Sequence, residues 1–366
     1  MQPVLVLGAT GYTGRLVVEA LERQGRPFVI AGRSREKLEA LAARCKHRPE
    51  VRVADPTQPE TLRDLFRGVR AVVNTVGPFR KFGVPVVEAA IAQRVHYVDT
   101  TGEQAYQKDV LDRFGETARE AGVTVITAQA FEYAFGYCAV TILNKLHGPI
   151  GRFDTYHRAA GPSGFGVSHG TAKSGLGMLN EPFLMLENGR LVRQPTRWRP
   201  TSVRFPGEAE ELHATAIPGG DVVLLAREIS NLQHGTCNLV WPARTARMTA
   251  ITTALLPLVR LFLRPWLIKR IEGWIDRRLT PPTEAERKSV KWTVVSRATG
   301  LNGTFTVRVD GTDPYGITGE VAALGAGWLA DGKAKSAGVV STGRAFDPVA
   351  FLDALKDQGV TWFIEK

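Results

Sequence analysis

The stretch Val4-Leu5-Val6-Leu7-Gly8-Ala9-Thr10-Gly11-Tyr12-Thr13-Gly14 decides how this chain is read. Its four apolar residues suit a strand buried on both faces. They give way to glycines at 8, 11 and 14 and then to a helical run, Arg15 to Leu21. A strand, a glycine-spaced turn and a helix together bind phosphate. Gly8 allows the tight exit from the strand, Gly11 lets backbone approach a pyrophosphate, and Gly14 lets the helix pack closely on the sheet. Thr10, Tyr12 and Thr13 complete the turn, and the first N–H groups of the helix face the anion with the positive dipole end. Glycine spacing alone is weak evidence, but the strand and helix stand on the required sides. The turn therefore points to a dinucleotide.

Phe28-Val29-Ile30-Ala31 reads as the second strand. Arg33 follows it, nineteen positions past Gly14, where an NAD-binding chain usually carries an acid for the ribose 2′-hydroxyl. An arginine there meets a 2′-phosphate instead, with a fork of charge-assisted donors. Ser34 and Lys37 add a hydroxyl and a second cation. The plain alternative is a solvated basic helix start. NADP(H) is the expected cofactor.

The first third continues to alternate. Helices are predicted over 36–44, 60–66, 84–93 and 104–121, and strands over 51–54, 71–76, 96–98 and 123–126. Such βα alternation with apolar strands predicts a Rossmann-type parallel sheet, with ligand at the carboxyl ends of the strands. Asp55 stands at one such end, where a carboxylate suits the adenine amino group. Asn74, Gly77 and Pro78 stand where amide and backbone suit the nicotinamide ribose. Asp99 and Thr100 follow the fifth strand, as cofactor contacts or as caps of the next helix.

The 366 residues suffice for two domains, and 44% hydrophobic with 23% charged residues is ordinary for a globular protein. The net charge of +11 is not ordinary and suits a polyanionic partner. No nucleic-acid module accompanies it, so nucleic acid is not expected. Cys45, Cys138 and Cys237 are few and scattered, which argues against a disulfide framework or metal knuckle and fits a reducing, cytoplasmic setting. With a strand starting at Val4, a signal peptide is not expected.

Past residue 130 the pattern becomes α+β. A long apolar helix over 131–147 and a strand over 150–160 come first. A loop over 161–166 and a helix opened by Gly170-Thr171-Ala172-Lys173-Ser174 follow, then strand-like segments over 201–242. Two strands flank a hairpin turn at 299–303. Helices are expected over 319–330 and 347–358, before a closing strand. The expected division is a nucleotide domain over 1–130, with 340–366 packing back on it, and a substrate or dimerisation domain over 131–339.

Several motifs together resemble the saccharopine dehydrogenase-like oxidoreductases, and among them the trans-acting enoyl reductases. They are Gly8 to Gly14 with Arg15-Leu16-Val17, Ala31-Gly32-Arg33, Asn74-Thr75-Val76-Gly77-Pro78-Phe79, His96-Tyr97-Val98-Asp99 and Gly102-Glu103. Gly170-Thr171-Ala172, Pro281-Pro282-Thr283-Glu284 and Asp313-Pro314-Tyr315-Gly316 extend the likeness. Ala130-Phe131-Glu132-Tyr133 and His169 depart from the family pattern where substrate would sit, so substrate identity does not transfer. The resemblance implies reduction of a C=C bond in a hydrophobic, lipid-like substrate, or of a C=N bond in amino-acid or polyamine metabolism. A non-catalytic NADPH-binding protein on membranes or lipid droplets is the reading from another class. For enoyl reduction, Tyr133 is the candidate proton source, and His169 or Lys173 the candidate donor to the enolate oxygen. Each also has a plain reading, as a core tyrosine, a loop histidine and a solvated lysine.

Residues 251–279 interleave Leu255, Phe262, Trp266 and Trp274 with Arg260, Arg264, Lys269, Arg270, Arg277 and Arg278. Such a basic amphipathic stretch fits an anionic membrane interface. It fits equally a lid over substrate, the seam of a homodimer, or a surface helix packing on the core.

Overall fold

The computed structural model describes residues 1–161, 166–179, 181–194, 201–241, 255 and 262–365. The expected loop residues 162–165, and 251–254 and 256–261 of the basic stretch, lie outside the described residues. The chain divides into two compact units. The first comprises 1–102, 106–134 and 315–351; the second comprises 103–105, 135–314 and the remainder.

The chain opens with β1 (Val4–Leu7), α1 (Tyr12–Arg23), β2 (Phe28–Gly32), α2 (Arg35–Ala42), β3 (Glu50–Val53), β4 (Ala71–Asn74), α3 (Phe79–Ala92), β5 (His96–Asp99), α4 (Gln104–Glu120) and β6 (Thr124–Ile126). These strands form one sheet in the order β3-β2-β1-β4-β5-β6, and every pair is parallel. All four residues of β1 and of β4 are buried, as a sheet covered on both faces requires. The strand order reverses at β1 and β4, and crossovers leave to opposite sides there. That switch point opens a crevice above their carboxyl ends.

The second unit follows with α5 (Phe131–His147), β7 (Ile150–Ala160), α6 (His169–Met178), β8 (Leu184–Glu187), β9 (Arg190–Arg193), β10 (Thr201–Arg204), β11 (Glu211–Ala216), α7 (Asp221–Glu228), β12 (His234–Trp241), α8 (Pro265–Arg278), α9 (Glu284–Ser289), β13 (Lys291–Gly300) and β14 (Gly303–Thr312). Its sheet runs β10-β11-β12-β7-β13-β14, with β12 parallel to β7 and the other neighbours on that path antiparallel. One face carries a cluster of Tyr156, Val203, Phe205, Leu212, Ala214, Val240 and Val295. On the other face, Phe135 of α5 stacks on Trp292 with ring centroids 5.0 Å apart.

The chain then supplies α10 (Pro314–Ala330), β15 (Gly338–Val339), α11 (Thr342–Ala345), α12 (Pro348–Asp353) and β16 (Thr361–Glu365). β15 adds a parallel strand beside β6, which was not expected because two residues leave no periodic signal. The predicted domain limits change accordingly. Helix α10, assigned in advance to the second domain, packs from Tyr315 onward in the first unit, where Gly319 lies against the backbone of Leu16. Arg26 pairs with Asp331 at 2.7 Å, and Arg23 with Glu320. Only part of 340–366 stays with the first unit, since β16 pairs antiparallel with β14.

Two local expectations also fail. Residues 60–66 contribute only a short 3-10 turn, Pro59–Leu62. The strand-like run 201–242 is not all strand: it encloses helix α7, which begins at Asp221 just after Gly219-Gly220.

Candidate functional site

The phosphate turn has the geometry its glycines suggest. Gly8 sits at φ +85°, and a Cβ there would lie 2.7 Å from Thr75 Oγ1 and 2.9 Å from Val76 Cγ2. A side chain on Gly14 would overlap the Gly8 carbonyl. The Gly11 N–H donates to Gly8 O at 2.9 Å, closing the turn. Gly11 caps α1 without a side-chain hydrogen bond, and the first turn of α1 contains no acid. Its leading N–H groups, on Tyr12, Thr13 and Gly14, thus keep the positive dipole end for an anion. Thr10 and Thr13 are half-buried in this turn, and the Tyr12 ring meets Tyr315 edge-on at 5.0 Å.

At the end of β2, Arg33 is exposed and close enough to Asp55 to help hold that carboxyl ionised. The main cause of the lowered Asp55 pKa is hydrogen bonding from Thr57, whose N–H donates at 2.9 Å and whose hydroxyl donates at 2.8 Å. Asp55 is thereby a turn residue at the rim, with one oxygen committed to Thr57. Ser34 caps α2 by accepting from the Lys37 N–H at 3.3 Å, and the Lys37 side chain is exposed. The cap uses the Ser34 hydroxyl as acceptor, which leaves its proton available to an anion.

Two expected contacts are corrected. Asn74 and Asp99 are completely buried, and their side chains serve the fold. Asn74 Nδ2 donates to the Tyr97 hydroxyl at 3.0 Å, while its Oδ1 accepts from the Val76 N–H at 3.0 Å. Asp99 Oδ1 accepts from the N–H groups of Thr101 at 3.1 Å and Ala128 at 2.9 Å. Its Oδ2 accepts from the hydroxyls of Tyr97 at 3.0 Å and Tyr106 at 2.9 Å. Burial nevertheless lifts the Asp99 carboxyl to about 6, against the pull of these four donors. The network ties the ends of β4, β5 and β6 together behind the crevice. Thr100 is half-buried beside it, and Gly77-Pro78, joined by a cis peptide, leads straight into α3.

The proposed acid and oxyanion donors belong to different units. Tyr133 belongs to the first unit, just beyond β6, and its hydroxyl lies 3.7 Å from where a Cβ on Gly102 would stand. It is 5% exposed. His169 and Lys173 lie on α6 in the second unit, and both are already engaged there. His169 Nε2 contacts Leu279 O at 2.8 Å, and Lys173 Nζ pairs with Asp276 at 2.7 Å. These bonds attach α6 to α8, which gives both residues a structural role that sequence spacing did not show.

The sequence signature of the saccharopine dehydrogenase NADP binding domain matches residues 4–126. A lipid droplet localized protein of Caenorhabditis elegans is 29% identical over 61% of this chain and 58% of its own length. A human saccharopine dehydrogenase-like oxidoreductase is also 29% identical over the same shares. A Mycobacterium tuberculosis protein named as a trans-acting enoyl reductase is 33% identical over 35% of this chain and 32% of its own. The first two matches span 58% of those relatives' length. Among solved structures, apo saccharopine dehydrogenase (L-Glu forming) from Saccharomyces cerevisiae superposes with a TM-score of 0.66. That match covers 100% of this chain and 99% of the yeast chain at 13% identity, a likeness of fold. Residues 4–126 thus carry the saccharopine dehydrogenase NADP binding domain, and the chain shares the fold of that dehydrogenase.

Proposed function

We propose that the chain is an NADPH-dependent oxidoreductase that reduces a C=C (enoyl) bond of a hydrophobic, lipid-like substrate. The observation that carries the cofactor assignment is the acid-free amino end of α1 over Gly8–Gly14, with Arg33 exposed at the end of β2. When bound, NADPH supplies a hydride to the β-carbon of an α,β-unsaturated carbonyl and leaves as NADP⁺. The chain's own residues must then hold the carbonyl oxygen and deliver a proton to the α-carbon. Tyr133 is assigned the proton, supported by its position just past β6 with its ring against Gly102. His169 and Lys173 are not assigned a step, because Leu279 O and Asp276 hold them.

The lipid-like character of the substrate is supported by the second unit's surface. Phe262, Trp266 and Trp274 are 72%, 63% and 57% exposed, and Arg270 and Arg277 share their side of α8. Aromatics interleaved with cations on one helix face suit an anionic lipid surface, with rings at headgroup depth. Plain core packing accounts for Ile275, which is buried, but not for the two tryptophans. The nematode relative's name agrees with a peripheral lipid contact. Among the described residues no helix is long and apolar enough to cross a membrane.

The test is NADPH oxidation by the full chain against long-chain enoyl thioesters and against imines formed from amino acids or polyamines. Oxidation with enoyl substrates, rising with chain length, is expected. Oxidation with imines alone would replace the proposal by the C=N reading. Cofactor binding with no turnover in either panel would leave a non-catalytic lipid-associated protein.

A further inference from the structure

His157, Asp221 and Cys237 converge in the core of the second unit, and no step of the proposed reaction uses them. Their ligand atoms all lie within 4.8 Å of one another. His157 is 4% exposed, Cys237 2% and Asp221 0%. The parallel register of β7 and β12 sets Cys237 opposite Thr155 and Leu239 opposite His157, so thiol and imidazole share one face two positions apart. Asp221 arrives as the first residue of α7, after the Gly219–Gly220 turn. That turn is held by the Ile217 N–H donating to Cys237 O at 2.8 Å, and by Gln104 Nε2 donating to Gly219 O at 2.7 Å.

The arrangement is convergent, not linear. His157 turns the same nitrogen, Nε2, toward Cys237 Sγ at 3.2 Å and toward Asp221 Oδ2 at 3.9 Å. A nucleophilic relay would use the two ring nitrogens in opposite directions, one for the thiol and one for the carboxylate. Three donors facing one point match a tetrahedral metal ion instead. Bond lengths of about 2.3 Å to sulfur and about 2.0–2.2 Å to nitrogen and oxygen put neighbouring donor atoms about 3.4–3.6 Å apart. The two distances bracket that range.

Charge and packing agree. A thiolate and a carboxylate with one divalent cation sum to zero, the condition under which a core tolerates ionised groups. Glycines stand on both sides. A side chain on Gly219 would overlap Cys237, and a Cβ on Gly136 of α5 would lie 3.2 Å from Asp221 Oδ2.

We propose that His157, Asp221 and Cys237 bind one zinc-class divalent cation that ties β7, β12 and α7 together. Nitrogen, sulfur and oxygen donors together suit Zn²⁺ and Co²⁺ over the hard cations. With all three donors buried, the ion enters as the unit folds.

The test uses the untagged full chain produced in zinc-supplemented medium, with metal counted by mass spectrometry. About one zinc per chain is expected, as for a structural site. Chain produced with cobalt should show thiolate-to-cobalt charge-transfer absorption. Cys45→Ser, outside the cluster, should keep both signals, and Cys237→Ser should lose them. Should Cys237→Ser fail to fold, the wild-type zinc count and cobalt spectrum still decide. A metal-free wild-type chain without the cobalt band overturns the proposal, as does a folded Cys237→Ser that retains its zinc.

Discussion

Arg33 and Asp99 show how two charged residues at the carboxyl ends of strands in one sheet take opposite tasks. Arg33 is exposed at the end of β2 and can give its whole fork to a ligand phosphate. Arg33→Asp should weaken NADPH binding about tenfold to hundredfold, the loss of about 1.5–3 kcal/mol for hydrogen bonds to a charged group. NADH binding should barely change. Equal weakening of both, measured by calorimetry, would remove the 2′-phosphate role. Asp99 instead is sealed behind the crevice, and its carboxyl ionises at about 6 where the unfolded chain ionises near 3.8. Between those values the folded chain holds the extra proton, so stability falls as pH rises from about 4 to about 6 and is level above. Two pH units correspond to about 3 kcal/mol. Denaturant unfolding of wild type and Asp99→Asn across that range should show this slope in the wild type only. Equal slopes would place the titration elsewhere.

Among the elements, α1 and α8 use helix physics differently. α1 exposes its amino end because Gly11 offers no capping side chain, whereas α2 has Ser34 and Glu36 in that place. One end is left for an outside anion and the other is satisfied from within. α8 spends its inner side on α6, through the Lys173–Asp276 pair and the His169–Leu279 contact, and turns Trp266 and Trp274 outward. The double substitution Trp266→Ser and Trp274→Ser should abolish co-sedimentation with anionic vesicles. Each change should alter unfolding stability by less than about 0.5 kcal/mol, as exposed positions do. Unchanged sedimentation with a shift from dimer to monomer would instead make the stripe a seam between two copies.

For the whole molecule, the first unit is completed by chain that returns after the second. Helix α10 packs on α1 where Gly319 has the Leu16 carbonyl carbon 2.8 Å from a would-be Cβ. Gly319→Val should therefore destabilise the chain by about 1–3 kcal/mol, the usual penalty of overpacking. A melting temperature within error of wild type would refute that close approach. The amino-acid order alone determined the phosphate turn and the strand–helix alternation around it, because each depends on neighbours a few residues away, and composition alone set the +11 charge. Strand β7 was legible to the residue for the same reason. Tertiary structure alone decided that Asn74 and Asp99 point into the fold, since strand pairing and the tyrosines at 97 and 106 set their direction. It alone engaged His169 and Lys173, and it alone gathered His157, Asp221 and Cys237 from places 80 residues apart at the extremes. Contacts across such separations leave no periodicity to read; they exist only once the sheets have closed.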